Sequence, residues 1–213
     1  SEQLVAWVQV PALSDTADTV IFRYYGNSGA PAQENPTAVW DEHYEVVMHL
    51  DEPVTNGEVG GLHYDSTANQ YVGTQYRNEG TTGLIGGAQL FGRDNVAPID
   101  PNENDALDVG NVYSDDWTAI TIETWVNRDA TDDSRVVAKA VGTDQLDTVF
   151  VLGSQGTEMR VRLGIDPRGG TDQFSNNYGT FGTGVWEHLA WTWDATTDVI
   201  TPYDNGVSLG GVA

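Results

Sequence analysis

Thr118 to Asn127 reads TAITIETWVN, and its alternation decides the class of fold. Successive side chains of a strand point to opposite faces. Ile120, Ile122, Thr124 and Val126 therefore share one face, and Thr121, Glu123 and Trp125 share the other. Two later stretches behave in the same way: Met159 to Gly164 (MRVRLG) and Val185 to Gly206 (VWEHLAWTWDATTDVITPYDNG).

Working outward, short apolar runs separated by Gly, Asn, Asp, Ser and Thr recur along the whole chain, and no long segment keeps a 3.6-residue period. That pattern predicts an all-β sandwich or barrel. The expected strands are Ala6–Val10, Thr19–Tyr25, Tyr44–Leu50, Ala88–Phe91, Ala119–Asn127, Arg135–Ala138, Thr148–Leu152, Met159–Leu163, Trp186–Trp193 and Val199–Tyr203. Asp204, Asn205 and Gly206 predict a tight turn, because Asn and Gly accept positive φ.

The chain has 213 residues, no cysteine, nine Lys plus Arg against 32 Asp plus Glu, and a formal net charge of −23. That length suits one all-β domain with a small appendage. The charge repels nucleic-acid phosphates and anionic lipid, which leaves neutral polymers such as sugars, and divalent cations, as acceptable partners. Such charge also strains the folded state by self-repulsion. Salt relieves that strain by shortening the screening length from roughly 10 Å at 0.1 M to about 3 Å at 1 M, so a marine or halophilic source is expected. No run approaches the roughly 20 apolar residues of a membrane span, and no signal-peptide pattern opens the chain. Without cysteine there is no disulfide or thiolate metal site.

In order and spacing the three stretches resemble the laminin-G-like, concanavalin A-like jelly-roll domains of extracellular proteins. Their text commonly runs "FTIEAWV", "LRFRLG" and "WYHVAATYDG…LYVNG", against AITIETWV, MRVRLG and VWEHLAWTWDAT…TPYDNG here. The region from His49 to Phe91 is similar to the opening of such a domain. Residues 1–36 (WVQV, TVIFRYYG and an Ala/Pro/Gly/Asn linker) resemble the tail of a β-rich domain of unknown function found before these jelly rolls in prokaryotic surface proteins. The resemblance implies a two-sheet antiparallel jelly-roll sandwich over 37–213, preceded by a short N-terminal β segment. Relatives end on a further strand pair and a closing strand for which there is no text after NGVSLGGVA. The chain is therefore expected to be a piece of a longer polypeptide, or a subunit completed by a neighbour.

Several residues are candidates for a site. Glu123 and Trp125 share a strand face, as do Arg160 and Arg162, and the fold the resemblance implies has one sheet whose concave face holds sugars. Aromatic rings stack on sugar C–H faces while carboxylates and guanidinium groups bond the hydroxyls. The alternative for the same residues is a structural Glu–Arg ladder across neighbouring strands. Trp191 and Trp193 face away from Trp186, and most of these rings are expected in the core. His188 occupies the His position of "WYHVA" and is expected to satisfy a buried hydrogen bond rather than to bind metal. Lys139 reads as structural.

Glycoside hydrolysis needs two carboxylates roughly 5–5.5 Å apart in the retaining case. Glucanase relatives supply them from an E-x-D-x-x-E strand, but Trp125 stands where the Asp belongs. Neither G-x-S-x-G, H-E-x-x-H nor G-x-x-x-x-G-K occurs. Calcium is the cofactor that acidic inter-strand loops could serve. By the resemblance its first ligands are Asp94 and Asn95, with a solvated turn as the alternative for Asp94; Asp65, and Asp100 or Asp105, in other acidic loops are further candidates.

The expected function is a noncatalytic, secreted or cell-surface glycan-binding or adhesion module. The alternative is a structural block of a surface layer, filament or sheath that binds copies of itself, and a glycoside hydrolase comes third.

Overall fold

The computed structural model describes residues 4–92, 105–112, 117–140, 148–164 and 173–211. They fall into two compact units, 1–113 and 114–213, and the boundary expected at residue 36 lies inside the first.

The second unit is a sandwich. One four-stranded antiparallel sheet contains β6 (Ala119–Val126), β11 (Glu187–Asp194), β12 (Val199–Asp204) and β13 (Val207–Ser208), in the order β13-β12-β11-β6. The other contains β7 (Ser134–Ala140), β8 (Thr148–Gln155), β9 (Glu158–Gly164) and β10 (Gln173–Tyr178), in the order β10-β9-β8-β7. Their inner faces meet in one core, where Leu189, Trp191 and Ile200 from the first sheet join Phe150, Leu152, Met159, Val161 and Leu163 from the second. Phe150 and Trp191 touch edge-on across it, with ring centroids 6.5 Å apart. Burial of these large apolar side chains is the main stabilising term, at about 1.5–3 kcal/mol each.

The alternation read from TAITIETWVN holds. On β6 every second residue, from Ile120 to Val126, turns inward, and the residues between them are exposed. β11 is central, bonded to β6 on one side and β12 on the other. It buries Leu189 and Trp191, and Trp193 packs against the same core. The expected turn also forms: Asn205 and Gly206 have φ of 49° and 79° and link β12 to β13. Lys139 Nζ lies 5.7 Å from the ring centroid of Trp117.

In the first unit, β1 (Val59–Tyr64), β2 (Val72–Tyr76) and β5 (Ala106–Asp108) form one sheet, and β3 (Glu79–Thr82) pairs with β4 (Gly87–Leu90). A one-turn helix, α1, spans Pro36–Val39. The interior is polar: His63, Gln75 and Asn78 are fully buried. His63 Nδ1 lies 2.8 Å from Glu52 Oε2. Gln75 Nε2 donates to the carbonyls of Thr55 and Asn78, and Asn78 Nδ2 donates to Gln89 Oε1. Strands that bury amides and imidazole carry no apolar alternation, so β1 and β2 escape a hydropathy reading.

Three expected strands do not form. Ala6–Val10 and Thr19–Tyr25, the N-terminal β segment, run irregularly, and Tyr44–Leu50 contributes only an isolated bridge from Met48 to Asp65. Leu50 leaves the extended region with φ 60°. The N-terminal runs have strand-like side chains but no partner strand among the described residues, and a lone strand leaves its N–H and C=O groups unpaired. Among the described residues no helix is long and apolar enough to cross a membrane.

Candidate functional site

The outer face of the β13-β12-β11-β6 sheet carries a grouping of polar and aromatic side chains. Strand register sets it in rows. Glu123 is the partner of Ala190, Ala190 of Tyr203, and Tyr203 of Ser208. One row away Trp125 pairs with His188, and on the other side Thr121 pairs with Thr192 and Thr192 with Thr201. Rows on one face repeat every second residue, about 6.5–7 Å, so the three span roughly 13 Å.

Trp125 is 43% exposed, yet its ring is held. The His188 ring lies against it with centroids 5.2 Å apart. His188 Nε2 is in turn 3.5 Å from Glu123 Oε2, an ion pair when the imidazole is protonated. Asn205 fixes the backbone below: its Oδ1 accepts the His188 N–H, and its own N–H donates to the His188 carbonyl. At the other end of the face a shallow cavity of about 330 Å³ is lined by Thr121, Thr192, Thr197, Val199 and Thr201. Between the two ends Ala190 lies low between Glu123 and Tyr203, because its side chain is a single methyl.

His188 is therefore not the buried hydrogen-bonding residue expected from the sequence. Its parity places it outward, a quarter exposed, and its partner is Glu123. Tyr203 was missed, since only the β11–β12 register brings it beside this face.

Arg160 and Arg162 do not join Glu123 and Trp125. They sit on β9, in the other sheet, and both sheets turn their apolar sides to the common core. The two pairs thus face outward on opposite sides of the sandwich. A shared groove and a Glu–Arg ladder are both ruled out by this placement. The arginines form their own patch, with Arg135 and Arg160 each opposite Gly153. Arg162 Nε donates to Ser175 Oγ at 3.2 Å, while Arg160 Nε is buried with no hydrogen-bond partner among the described residues. Burial, with the like charges of Arg160 and Arg135, lowers the pKa of the Arg162 guanidinium.

Asp65 is already engaged by donors of the chain. Its Oδ1 accepts the N–H groups of Val47 and Thr67, and its Oδ2 accepts the Thr67 hydroxyl and the Tyr71 N–H. Four donors converge on a buried carboxylate, and a cation would have to displace them. Asp105 Oδ2 accepts the Gly92 N–H at 2.6 Å. Among the described residues no group of three or more His, Asp or Glu is placed to hold a metal ion. Asp94, Asn95 and Asp100 lie outside the described residues.

Glu187, on the core side of β11, is a further buried carboxylate. It accepts the Gly182 N–H at 2.9 Å. Burial raises its pKa, and the Gly182 bond opposes that shift.

A family model described as the concanavalin A-like lectin/glucanases superfamily, in its laminin G form, matches residues 101–213. No curated protein and no solved structure matches the chain. The family match takes in the whole second unit and more than half of the sequence. With its antiparallel sandwich and TAITIETWV strand, the chain belongs to the laminin G-like members of the concanavalin A-like lectin/glucanase superfamily.

Proposed function

We propose that the second unit is a noncatalytic glycan-binding module of a secreted or cell-surface protein, with its sugar site on the outer face of the β13-β12-β11-β6 sheet. The family is one of carbohydrate-binding and adhesion modules in general. The observation that carries the reading is Trp125, an exposed ring immobilised by His188 beside the Glu123 carboxylate. A sugar ring stacks its C–H face on Trp125, Glu123 and Tyr203 bond hydroxyls, and the threonine-lined cavity receives the next residues of a short oligosaccharide. A pre-ordered ring loses little entropy on binding.

The noncatalytic reading rests on what surrounds Glu123. Its described neighbours on the face are Thr121, Trp125, Ala190 and His188, and none of these supplies a second carboxylate at the separation that retaining hydrolysis requires.

Screening the chain against a glycan array, and titrating the hits with Trp125→Ala, tests the proposal. Binding that Trp125→Ala abolishes supports it, and a hit whose affinity ignores both Trp125→Ala and Glu123→Gln sinks this site. Running the array with calcium and with EDTA tests the calcium expected at Asp94, Asn95 and Asp100. Polysaccharide cleavage abolished by Glu123→Gln would restore the enzyme reading.

A further inference from the structure

β6 has one strand beside it. Its register with β11 is unbroken from Val126 opposite Glu187 to Ala119 opposite Asp194, and among the described residues no strand bonds its other edge. Edge strands usually carry a guard against pairing, such as a proline, a lysine, a bulge or an inward charge. AITIETWV has no proline, lysine, bulge or inward charge, and its one charged side chain, Glu123, points outward. The core also thins toward this edge: Leu189 and Trp191 on β11 are buried, whereas Ile120, Ile122 and Val126 on β6 are only partly covered.

Residues 19–25, TVIFRYY, present the complementary defect. They are rich in β-branched and aromatic side chains, yet among the described residues none of their backbone groups has a backbone hydrogen-bond partner. Val20, Phe22 and Tyr24 are 66%, 74% and 91% exposed. Ile21 and Tyr25 are exposed as well. Extended, this segment divides its side chains between two sides. Val20, Phe22 and Tyr24 lie on an apolar side, and Ile21, Arg23 and Tyr25 lie on the other.

We propose that residues 19–25 of one copy of the chain add as a strand to the free edge of β6 in a second copy. The seven-residue segment matches the eight residues of β6. With its apolar side inward, Val20, Phe22 and Tyr24 extend the core over Ile120, Ile122 and Val126. In a centred register Arg23 then lies beside Glu123, an opposite-charge cross-strand pair in a chain with few cations. Main-chain hydrogen bonds supply affinity and the alternate side chains supply register. Donor and acceptor are different surfaces, so each copy can both give and receive a strand, and the contact is heterologous.

The test is sedimentation velocity of the full chain over a concentration series in about 1 M salt, where the screening length is roughly 3 Å and the net negative charge is masked. It is combined with hydrogen exchange of the 119–126 amides. Concentration-dependent oligomers whose formation protects those amides are expected. Val20→Asp with Phe22→Asp, both at exposed positions, should abolish association and protection together. Arg23→Glu should weaken association about tenfold, and adding Glu123→Arg should restore it. The proposal is overturned by a chain that stays monomeric throughout, by oligomers indifferent to Val20→Asp with Phe22→Asp, by association without protection of β6, or by protection that does not depend on concentration.

Discussion

Trp125 and His188 face each other across the β6–β11 ladder with ring centroids 5.2 Å apart, and the far nitrogen of the imidazole lies 3.5 Å from the Glu123 carboxylate. An aromatic ring left in solvent is thereby given one orientation. The same contact links the proposed sugar platform to the Glu123 carboxylate of the neighbouring row.

Trp125→Ala should lower glycan affinity about tenfold or more while costing only about 1 kcal/mol of stability, because the ring is nearly half exposed. His188→Ala should cost less affinity, about three- to fivefold, since it frees the ring without removing it. Isothermal titration alongside urea unfolding separates the two effects. Equal losses of stability and affinity would mean that the face is structural.

Arg128 predicts a large stability effect. Its guanidinium donates to the carbonyls of Gly182, Gly156 and Phe181 and lies 4.1 Å from the Phe181 ring centroid. Arg128→Ala should cost about 2–4 kcal/mol, because three carbonyls lose a charged donor at once. Arg128→Lys should recover only part, since a lysine lacks the planar fork. Chemical unfolding reads both, and a neutral Arg128→Ala would show that water replaces the fork.

Two carboxylates should respond to pH with opposite sign. Glu187 has its pKa raised, first by burial, so its contribution to stability is fullest below its unfolded pKa and declines as pH rises through the folded value. For Glu52 burial pushes the pKa up, but the N–H of Tyr64, its own N–H and His63 together outweigh this and lower it. Its contribution is present above the unfolded pKa and is lost as pH falls through the folded value. Glu187→Gln should therefore flatten the decline on the alkaline side of the carboxylate range, and Glu52→Gln should blunt the acid loss. Amide exchange at Gly182 and Tyr64 across pH reports the two units separately. Parallel profiles at the two amides would contradict this assignment.

Salt should stabilise the chain. With a net charge of −23, moving from about 0.1 M to 1 M NaCl shortens the screening length threefold and should raise Tm by roughly 5 °C in scanning calorimetry. A falling Tm would mean that local ion pairs outweigh the overall repulsion.

What could be read from the sequence follows how each strand is buried. β6, β9 and β11 announce themselves because one side of each packs on an apolar core, so Ile120 to Val126, Met159 to Leu163 and Leu189 to Trp193 alternate visibly. β1 and β2 turn His63 and Gln75 inward, and polar interiors leave no hydropathy signal. TVIFRYY shows the reverse failure. Its local propensity is strong, but among the described residues no strand pairs with its backbone.

By itself the sequence determined the all-β class, the parity of the strands in the second unit, the Asn205-Gly206 turn and the pairing of Glu123 with Trp125 on one face. Each depends only on the period-two geometry of a single strand or on the φ preference of a single residue. The tertiary structure alone decided that Arg160 and Arg162 turn away from Glu123, that His188 and Tyr203 join it, and that the lone pairs of Asp65 are spent on Val47, Thr67 and Tyr71. Those outcomes depend on which strands share a sheet and in what register. Hydrogen bonds between residues far apart in the chain set that register, and no local pattern encodes it.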